Sequence, residues 1–420
     1  MSMRVAVVGG GSTYTPELID GFARLDTTID ELVLIDPAID RLGVIGGLGK
    51  RILARYGHSA RLTLTDDLDA GLDSADVVLI QLRVGGQQTR ITDETFPLEC
   101  GCVGQETTGA GGLAKALRTV PVVLDIARRA RERAAPGAWI VAFTNPVGIV
   151  TRALLDDGHR AVGLCNVAIG LQRKLAGLLD VTPDAVTLDH VGLNHLTWER
   201  AATVAGTDRL PELLDRHGTE LSELVGVAPE ILRLTGTLPS YYLRYFYSHD
   251  EVVTEQRTEP PRGARVAEIE SELLALYQDA MLDRKPELLS ERGGAFYSEA
   301  AVGLLGSLVG NDAGAVHAVN VRNAGTLPNL PDEAVIEVSC RVGPDGATPL
   351  KTPPLAPDLA GLVSHVSGYE ELAVEAAIKG GADRVFRALL AHPLIGQTDQ
   401  ARLLTDRLIA GNTEFLSWAR

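Results

Sequence analysis

The chain has 420 residues, of which 45% are hydrophobic and 22% are charged, and its mean hydropathy is +0.09. These values are usual for a globular protein and exclude long disorder. Lys and Arg number 39 against 55 Asp and Glu, which gives a formal net charge of −16 and no basic footprint for nucleic acid or an anionic membrane. The length suits two structural units, since domains usually have about 100 to 200 residues.

Neither a signal peptide nor a membrane span is predicted. An apolar, β-like segment begins at residue 5 and ends at residue 8. It is not preceded by the charged region and the long apolar region that are typical of a signal peptide. No stretch reaches the ~20 uncharged apolar residues that span a bilayer, and four cysteines in this length do not make a disulfide framework. We therefore expect a cytoplasmic protein with no membrane or nucleic-acid partner.

The first third of the chain alternates short β-branched segments with segments of helical periodicity. Strands are predicted at residues 4–8, 31–35, 61–65, 77–81 and 139–143, and helices at residues 16–24, 39–56 and 113–134. Such alternation is typical of a parallel sheet covered by helices. It predicts an α/β fold that begins with a Rossmann-like, doubly wound sheet.

The later chain is dominated by amphipathic helices. They are predicted at residues 170–179, 211–224, 264–279 and 369–391, with a β-rich stretch at residues 317–341. This change of pattern predicts a second domain of the α+β class. We place the first domain at residues 1–165 and the second at residues 166–420.

A glycine-rich turn follows the first predicted strand. Gly9 and Gly11 fill two positions of a dinucleotide-binding fingerprint, whereas Tyr14 stands at the third, so the motif is incomplete. Glycines there allow a tight turn and a close approach of the backbone to a pyrophosphate at a helix start. We predict that Gly9, Gly11, Ser12 and Thr13 bind a dinucleotide; an ordinary glycine-rich turn is the alternative.

The second predicted strand ends at Asp36, where an acidic residue can hydrogen-bond the adenosine ribose of a dinucleotide. A carboxylate in this position also repels a 2′-phosphate, so NAD is expected rather than NADP. Arg41 is a further candidate contact with the cofactor, although its charge would equally suit that phosphate.

Six groups of motifs occur in order along nearly the whole chain. They are VGGGST (8–13), QLRVGGQQTR (81–90) with GQETTG (104–109), NP (145–146) with GLCN (163–166), GLNH (192–195), PSYYLRY (239–245) and RGGA (292–295). Together they resemble the NAD- and metal-dependent glycosidases of glycoside hydrolase family 4, in particular the 6-phospho-β-glucosidases. The resemblance implies hydrolysis of the β-O-glycosidic bond of a 6-phosphorylated glucoside, NAD and Mn²⁺ as cofactors, and a homo-oligomer, dimer or tetramer.

Cys165 and His195 are the candidate metal ligands. Cys165 follows a predicted strand and His195 ends the GLNH motif. A thiolate and an imidazole suit a borderline divalent metal, and two protein ligands leave positions open for substrate oxygens. The alternatives are a small buried hydrophobe for Cys165 and a polar loop residue for His195, whereas the resemblance implies Mn²⁺ on both.

The reaction that the resemblance implies is an oxidation and elimination rather than a displacement between two carboxylates. NAD⁺ oxidises the sugar at C3, a base removes the C2 proton, the C1 substituent leaves, water adds, and the hydride returns to C3. The family's base falls on Tyr242, and Tyr241 and Tyr245 are its close rivals. A tyrosine has an ordinary pKa near about 10, so a cation beside it must lower that value.

Four residues are candidates for substrate binding. Relatives that cleave α-linkages typically carry an Asp, able to protonate the leaving group, where this chain has Asn166, so the resemblance implies β-linkages. Arg90 matches a family substrate contact, and Arg265 is a second candidate for the 6-phosphate, which charge-assisted bonds hold best. Asn145 is expected to hydrogen-bond sugar hydroxyls.

Two polar residues have open roles. Arg83 could serve the cofactor or a structural ion pair. Glu106, in GQETTG, is expected to orient a hydroxyl or a metal-bound water without binding the metal itself.

Two other functions compete with this interpretation. A hydroxyacid dehydrogenase of the lactate and malate type shares the dinucleotide domain, but it would use a His with an Asp partner, need no metal and release NADH. A nucleotide-sensing or scaffold protein would require no joint role for Cys165, His195 and Tyr242.

Overall fold

The computed structural model describes residues 3–25, 28–294 and 296–420, so Ala295 of the RGGA motif lies outside the described residues. Its strands are β1 (Arg4–Val8), β2 (Glu31–Ile35), β3 (Arg61–Thr65), β4 (Val77–Ile80), β5 (Trp139–Ala142), β6 (Ala161–Gly163), β7 (Val186–Leu193), β8 (Leu196–Val204), β9 (Thr207–Asp208), β10 (Leu238–Pro239), β11 (Val316–Arg322), β12 (Val335–Gly343) and β13 (Gly346–Pro349). Its α-helices are α1 (Thr15–Arg24), α2 (Ile39–Tyr56), α3 (Leu68–Leu72), α4 (Gly86–Glu99), α5 (Gly109–Arg133), α6 (Val147–Asp156), α7 (Val167–Leu178), α8 (Leu210–Val225), α9 (Pro229–Thr235), α10 (Arg244–Tyr247), α11 (His249–Thr258), α12 (Arg262–Tyr277), α13 (Leu288–Glu291), α14 (Tyr297–Leu308), α15 (Pro357–Lys379), α16 (Ala382–Leu390) and α17 (Thr398–Asn412).

The first six strands form the predicted Rossmann-like sheet. They are parallel, in the order β3-β2-β1-β4-β5-β6, which is the order of a doubly wound dinucleotide-binding domain. Strands β2 and β4 are buried along their whole length, as expected where helices cover both faces of the sheet. The predicted fold is confirmed, and the carboxyl ends of β1 and β4 mark the crevice where such sheets bind ligands.

The second half of the chain extends the same sheet. β11 pairs antiparallel with β6 through Asn320 and Gly163, and β12, β7, β8 and β10 continue outwards, all antiparallel. Helix α14 packs on α1, and α12 packs on α2 and α4. Since sheet and helices both cross from one half to the other, the division at residues 165 and 166 stays a prediction.

One predicted helix is divided in the structure, and several elements, among them the β7–β8 hairpin, were not predicted. The segment predicted as one helix at residues 369–391 is divided between α15 and α16 at Gly380 and Gly381, whose φ angles are 66° and 99°. A Cβ on Gly380 would lie 2.3 Å from the Trp418 ring, so this break requires glycine. Residues 186–204, without a strand prediction, form the β7–β8 hairpin, and His195 lies in its turn at a φ of 62°.

None of the described helices is long and apolar enough to cross a membrane. The four cysteines, Cys100, Cys102, Cys165 and Cys340, are buried and unpaired.

Candidate active site

The glycine turn between β1 and α1 is shaped for the close approach of a ligand. Gly9 has a φ of 89°, and a Cβ on it would lie 2.4 Å from the carbonyl oxygen of Gln81. A Cβ on Gly11 would lie 2.8 Å from the carboxylate of Asp36. A side chain at either position would therefore collide with Gln81 or Asp36, so this tight turn needs glycine at both, as the turn of a dinucleotide-binding domain does.

Asp36 and Arg41 both contact the turn at Gly11. The Oδ2 atom of Asp36 accepts a hydrogen bond from the Gly11 N–H at 3.0 Å. The Nε atom of Arg41 donates to the Gly11 carbonyl oxygen at 2.6 Å. The acidic residue and the glycines predicted for NAD are therefore adjacent, and Arg41 binds the same glycine through its carbonyl oxygen.

Ser12 and Thr13 complete the turn. Ser12 Oγ accepts from the N–H of Tyr14 at 3.2 Å. Thr13 is fully buried, and its Oγ1 donates to Glu270 of α12 at 3.2 Å. Glu270 also accepts from Arg292 Nη2 at 2.8 Å. The second half of the chain thus contacts the cofactor turn through Glu270.

The structure brings the two candidate metal ligands together. Cys165 follows β6, and His195 lies in the β7–β8 turn. Against the burial that raises the pKa of Cys165, the nearby amide of Asn194, the neighbour of His195, favours the thiolate. His195 Nδ1 lies 2.9 Å from Thr107 Oγ1, which fixes the ring and leaves Nε2 as the nitrogen for a metal.

The chemistry of this pair fits a divalent metal. Burial lowers the pKa of His195 to about 4, so the imidazole is neutral and can coordinate. Burial and the charge of Glu337 raise the pKa of the Cys165 thiol far above its ordinary value, a cost that a coordinated cation would offset. The described residues include no group of three or more His, Cys, Asp or Glu that could hold a metal ion.

Tyr242 lies directly against the predicted metal ligands. Its ring stacks on that of His195, with centroids 3.7 Å apart and planes inclined by 7°. Burial, reinforced by the charge of Cys165, raises the pKa of Tyr242 well above its ordinary value, while Arg90 opposes the shift. As a base, Tyr242 therefore depends on a cation at the Cys165 and His195 pair.

The rival tyrosines point to other partners. The side chain of Tyr241 is 43% exposed and accepts a hydrogen bond from Arg244. Tyr245 is buried, and its hydroxyl accepts from Gln105 Nε2 at 3.1 Å. Of the three, Tyr242 is the one stacked on a predicted metal ligand.

A basic cluster, defined as Arg83, Arg90 and Lys115, surrounds Glu106. Lys115 Nζ lies 2.6 Å from Oε2 of this carboxylate, and Arg83 Nη2 and Arg90 Nε lie 3.1 and 3.2 Å from its Oε1. Burial opposes ionisation of Glu106, but the three cations hold its pKa well below the ordinary range. Glu94 accepts a hydrogen bond from Arg90 at 2.7 Å. The three cations of the basic cluster therefore face two carboxylates, Glu94 and Glu106. The remaining positive charge suits an anionic ligand.

The remaining predicted substrate residues, Asn145, Asn166 and Arg265, differ in how deeply they are buried. Asn145 follows β5, and its Oδ1 atom is buried without a hydrogen-bond partner among the described residues. Asn166 is partly buried and directly precedes α7. Arg265 is 45% exposed on α12 and pairs with Glu268 at 3.2 Å and Glu291 at 3.1 Å. The structure does not bring Arg265 to the basic cluster, and its substrate role stays a prediction.

Two family models match the chain. The model described as family 4 glycosyl hydrolase matches residues 4–181, and that of the family 4 glycosyl hydrolase C-terminal domain matches residues 190–395. The chain belongs to glycosyl hydrolase family 4. This confirms the resemblance seen in the sequence motifs.

Known members of the family are similar to this family 4 chain over almost its whole length. The probable 6-phospho-β-glucosidase of Bacillus subtilis is 35% identical over 431 residues, covering 99% of this chain and 97% of the relative. The 6-phospho-β-glucosidase of Thermotoga maritima, solved with manganese, NAD⁺ and glucose-6-phosphate, has a TM-score of 0.92 at 32% identity and 99% coverage of both chains.

Malate dehydrogenase of Plasmodium falciparum is similar in fold alone. It is 13% identical, with a TM-score of 0.55 over 90% of this chain and 99% of its own.

Lys115 and Glu337 of this family 4 site were not predicted from the sequence, and Asn194 was singled out only as part of the GLNH motif, without a role. Lys115 lies in a segment of apolar helical spacing, where a lysine on the buried face is rare without a partner. Glu337 interrupts the apolar pattern of β12 at a buried position. A charged residue inside an otherwise buried periodic segment was the available signal in both cases.

Proposed function

We propose that this family 4 glycosyl hydrolase is a 6-phospho-β-glucosidase that uses NAD and Mn²⁺. The observation that carries the proposal is the stacking of Tyr242 on His195 beside Cys165, with the basic cluster at the same site. The names of the Bacillus and Thermotoga relatives support the substrate, and the Thermotoga structure supports both cofactors.

The cofactor turn provides a place for NAD, which when bound accepts a hydride from the sugar C3 and returns it. Gly9 and Gly11 let the backbone approach the pyrophosphate, with Ser12 and Thr13 in the same turn. Asp36 accepts hydrogen bonds from the ribose hydroxyls and repels a 2′-phosphate. Arg41 keeps the turn in place through its bond to Gly11.

Cys165 and His195 would hold Mn²⁺, which as a Lewis acid polarises the oxidised sugar and lowers the pKa of groups beside it. Tyr242, held against His195, takes the proton from C2. Its phenolate forms only when the cation offsets the burial that raises its pKa. The C1 oxygen substituent then leaves, and water adds at C1 before C3 is reduced again.

The basic cluster and two asparagines bind the sugar. Arg90 and its neighbours provide the positive charge for the 6-phosphate. Asn145 supplies to a sugar hydroxyl its Oδ1 atom, which has no hydrogen-bond partner among the described residues. Asn166 cannot act as an acid towards the leaving group, which favours β-linked substrates. Arg265 is kept as a second candidate for the phosphate on the strength of its sequence position.

The enzyme is further proposed to be a cytoplasmic homo-oligomer, a dimer or tetramer, with no membrane or nucleic-acid partner. A reduced thiol at Cys165 is a requirement for metal binding, which favours a reducing compartment. Mass photometry of the holoenzyme would determine the oligomeric state, and a monomer would contradict the proposal.

A substrate panel tests the activity. The chromogenic α- and β-glucosides and α- and β-galactosides, each with and without a 6-phosphate, are incubated with the enzyme, NAD⁺, Mn²⁺ and a thiol reductant. We expect the 6-phospho-β-glucoside to be cleaved fastest, with no net change in the NADH absorbance and no turnover after metal chelation. Stoichiometric accumulation of NADH would instead indicate a dehydrogenase, and preference for an α-linked substrate would contradict the proposed linkage.

A further inference from the structure

Glu337 lies at the centre of a buried polar network that joins four strands. Its Oε1 accepts a hydrogen bond from His190 Nε2 at 3.0 Å, and its Oε2 accepts from Asn194 Nδ2 at 2.9 Å and Asn320 Nδ2 at 2.7 Å. His190 Nδ1 bonds Glu199 Oε1 at 2.7 Å. The five side chains come from β7, β8, β11, β12 and the β7–β8 turn, and all are buried.

The network carries an excess negative charge. Both nitrogens of His190 face carboxylates, so both are protonated, because a neutral ring donates from only one. One imidazolium against Glu199 and Glu337 leaves a single negative charge. Within the described parts of the chain, the hydrogen bonds and ion pairs of these two carboxylates include no Lys or Arg. An uncompensated buried charge is costly, so the arrangement calls for a cation nearby.

The place for that cation is the Cys165 and His195 pair. The amide of Asn194 donates a hydrogen bond to Oε2 of Glu337 at 2.9 Å, and the same amide favours the thiolate of Cys165 against the burial that raises its pKa. The charge of Glu337 acts on His195 as well as on Cys165. A divalent ion with one thiolate ligand retains one positive charge, which equals the excess negative charge of the network.

We propose that Glu337 is a positioning residue for the metal ion: it orients the Asn194 amide against Cys165 and supplies the charge that balances the bound cation. This inference rests on the proposed function, because it assumes that Cys165 and His195 bind Mn²⁺. Groups that orient metal ligands from outside the coordination sphere typically change metal affinity about 10- to 100-fold.

The test measures Mn²⁺ affinity directly, without turnover. Metal-free full-length protein with NAD⁺ is titrated with Mn²⁺, and the free ion is followed by its electron paramagnetic resonance signal. We expect E337Q to bind Mn²⁺ about 10- to 100-fold more weakly than the wild type, and E337D, which keeps the charge, to recover part of the loss. The matched control is E31Q, which removes a buried carboxylate paired with Arg4 and Arg61 and is expected to retain wild-type affinity.

Thermal unfolding separates this role from a general loss of structure. If Glu337 acts on the metal, Mn²⁺ raises the unfolding temperature of E337Q less than that of the wild type, whatever the temperatures of the metal-free forms. If E337Q does not fold, the Mn²⁺ titration is made on N194S instead, because this variant removes the Asn194 amide that connects Glu337 with Cys165. Equal Mn²⁺ affinity in wild type and E337Q would overturn the role of Glu337, whereas a wild type that binds no Mn²⁺ would overturn the proposed function itself.

Discussion

The ring of Tyr242 lies parallel to that of His195, with centroids 3.7 Å apart and planes inclined by 7°. The proposed base and a proposed metal ligand are therefore in direct contact, although 47 positions separate them in the sequence (242 − 195). Burial, reinforced by the charge of Cys165, raises the pKa of Tyr242 and would keep its hydroxyl protonated. Its use as a base is thus tied to occupation of the metal site.

Replacement of Tyr242 by Phe tests this relationship. Y242F keeps the stacked ring but lacks the hydroxyl, so we expect exchange of the substrate C2 hydrogen with solvent deuterium to stop and kcat to fall about 10²- to 10⁴-fold, the usual contribution of a general base. Proton NMR of substrate and product measures the exchange. The matched variant Y245F loses a hydroxyl bonded to Gln105 and is expected to keep exchange; loss of exchange in Y245F alone would move the base to that residue.

The two candidate phosphate arginines differ in their surroundings. Arg90 lies in the basic cluster with a side chain 14% exposed, whereas Arg265 is 45% exposed and paired with surface carboxylates. We expect R90Q to raise KM for the 6-phospho-β-glucoside about 10- to 100-fold, as loss of a charge-assisted bond of about 1.5–3 kcal/mol implies. The KM of R265Q for the same substrate should stay within about twofold of the wild-type value, because exposed ion pairs contribute little free energy.

Initial-rate kinetics of both variants with and without the 6-phosphate decides between the arginines. A KM increase in R265Q that disappears with the unphosphorylated substrate would show that Arg265 reaches the phosphate when the substrate is bound. An unchanged KM in R90Q would remove Arg90 from that role.

Much of the fold could be predicted from sequence because its elements carry clear periodicity. Strands β1 to β5 and helix α2 combine apolar repeats with glycine or charged boundaries. The β7–β8 hairpin was missed because Asp189, His190 and Glu199 interrupt its apolar pattern. His190 and Glu199 are buried as a hydrogen-bonded pair, and His190 also bonds Glu337.

The same limit applies to the site. Motifs indicated Cys165, His195 and Tyr242 as candidates, since their residue types carry recognisable chemistry. The surface pairing of Arg265 with Glu291 depends on how helices α12 and α13 lie against each other, 26 positions apart in the chain. The sequence does not show which charges meet. Partners from distant strands, such as Glu337, become visible only once the strand order is known.

Gly9 offers a test of the cofactor turn that is independent of the metal. An alanine at its φ of 89° is strained, and its Cβ would lie 2.4 Å from the Gln81 carbonyl oxygen. We expect G9A to reduce NADH affinity at least about tenfold, as measured by NADH fluorescence. Displacement of the turn should weaken the binding free energy of NADH by more than about 1.4 kcal/mol.

The control for Gly9 is Gly43, an exposed position within α2 where a Cβ would meet nothing within 4 Å. G43A adds the same methyl group in a helix interior, so it should leave NADH affinity unchanged and stabilise the protein by up to about 1 kcal/mol. Wild-type NADH affinity in G9A would mean that the turn does not contact the cofactor.

The charge of His190 predicts a pH dependence of stability. Burial disfavours the imidazolium, but Glu199 and Glu337 outweigh it and raise the pKa of His190 from 6.5 to about 10. A raised native pKa contributes stability that is fully present below the unfolded value and is lost as the pH rises through the native value. Between about pH 7 and 9 the native protein holds one proton more than the unfolded chain at this site, so the contribution of His190 should fall by about 1.4 kcal/mol per pH unit.

Urea unfolding of wild type and H190Q at about pH 7, 8 and 9 measures this contribution as the difference in unfolding free energy between the two proteins. We expect that difference to shrink steadily with pH, because glutamine carries no proton to lose. H217Q replaces a histidine that is 34% exposed beside Glu220 and should follow the wild-type slope. A pH-independent difference between wild type and H190Q would show that His190 is neutral, and the excess negative charge next to the metal site would then be larger than one.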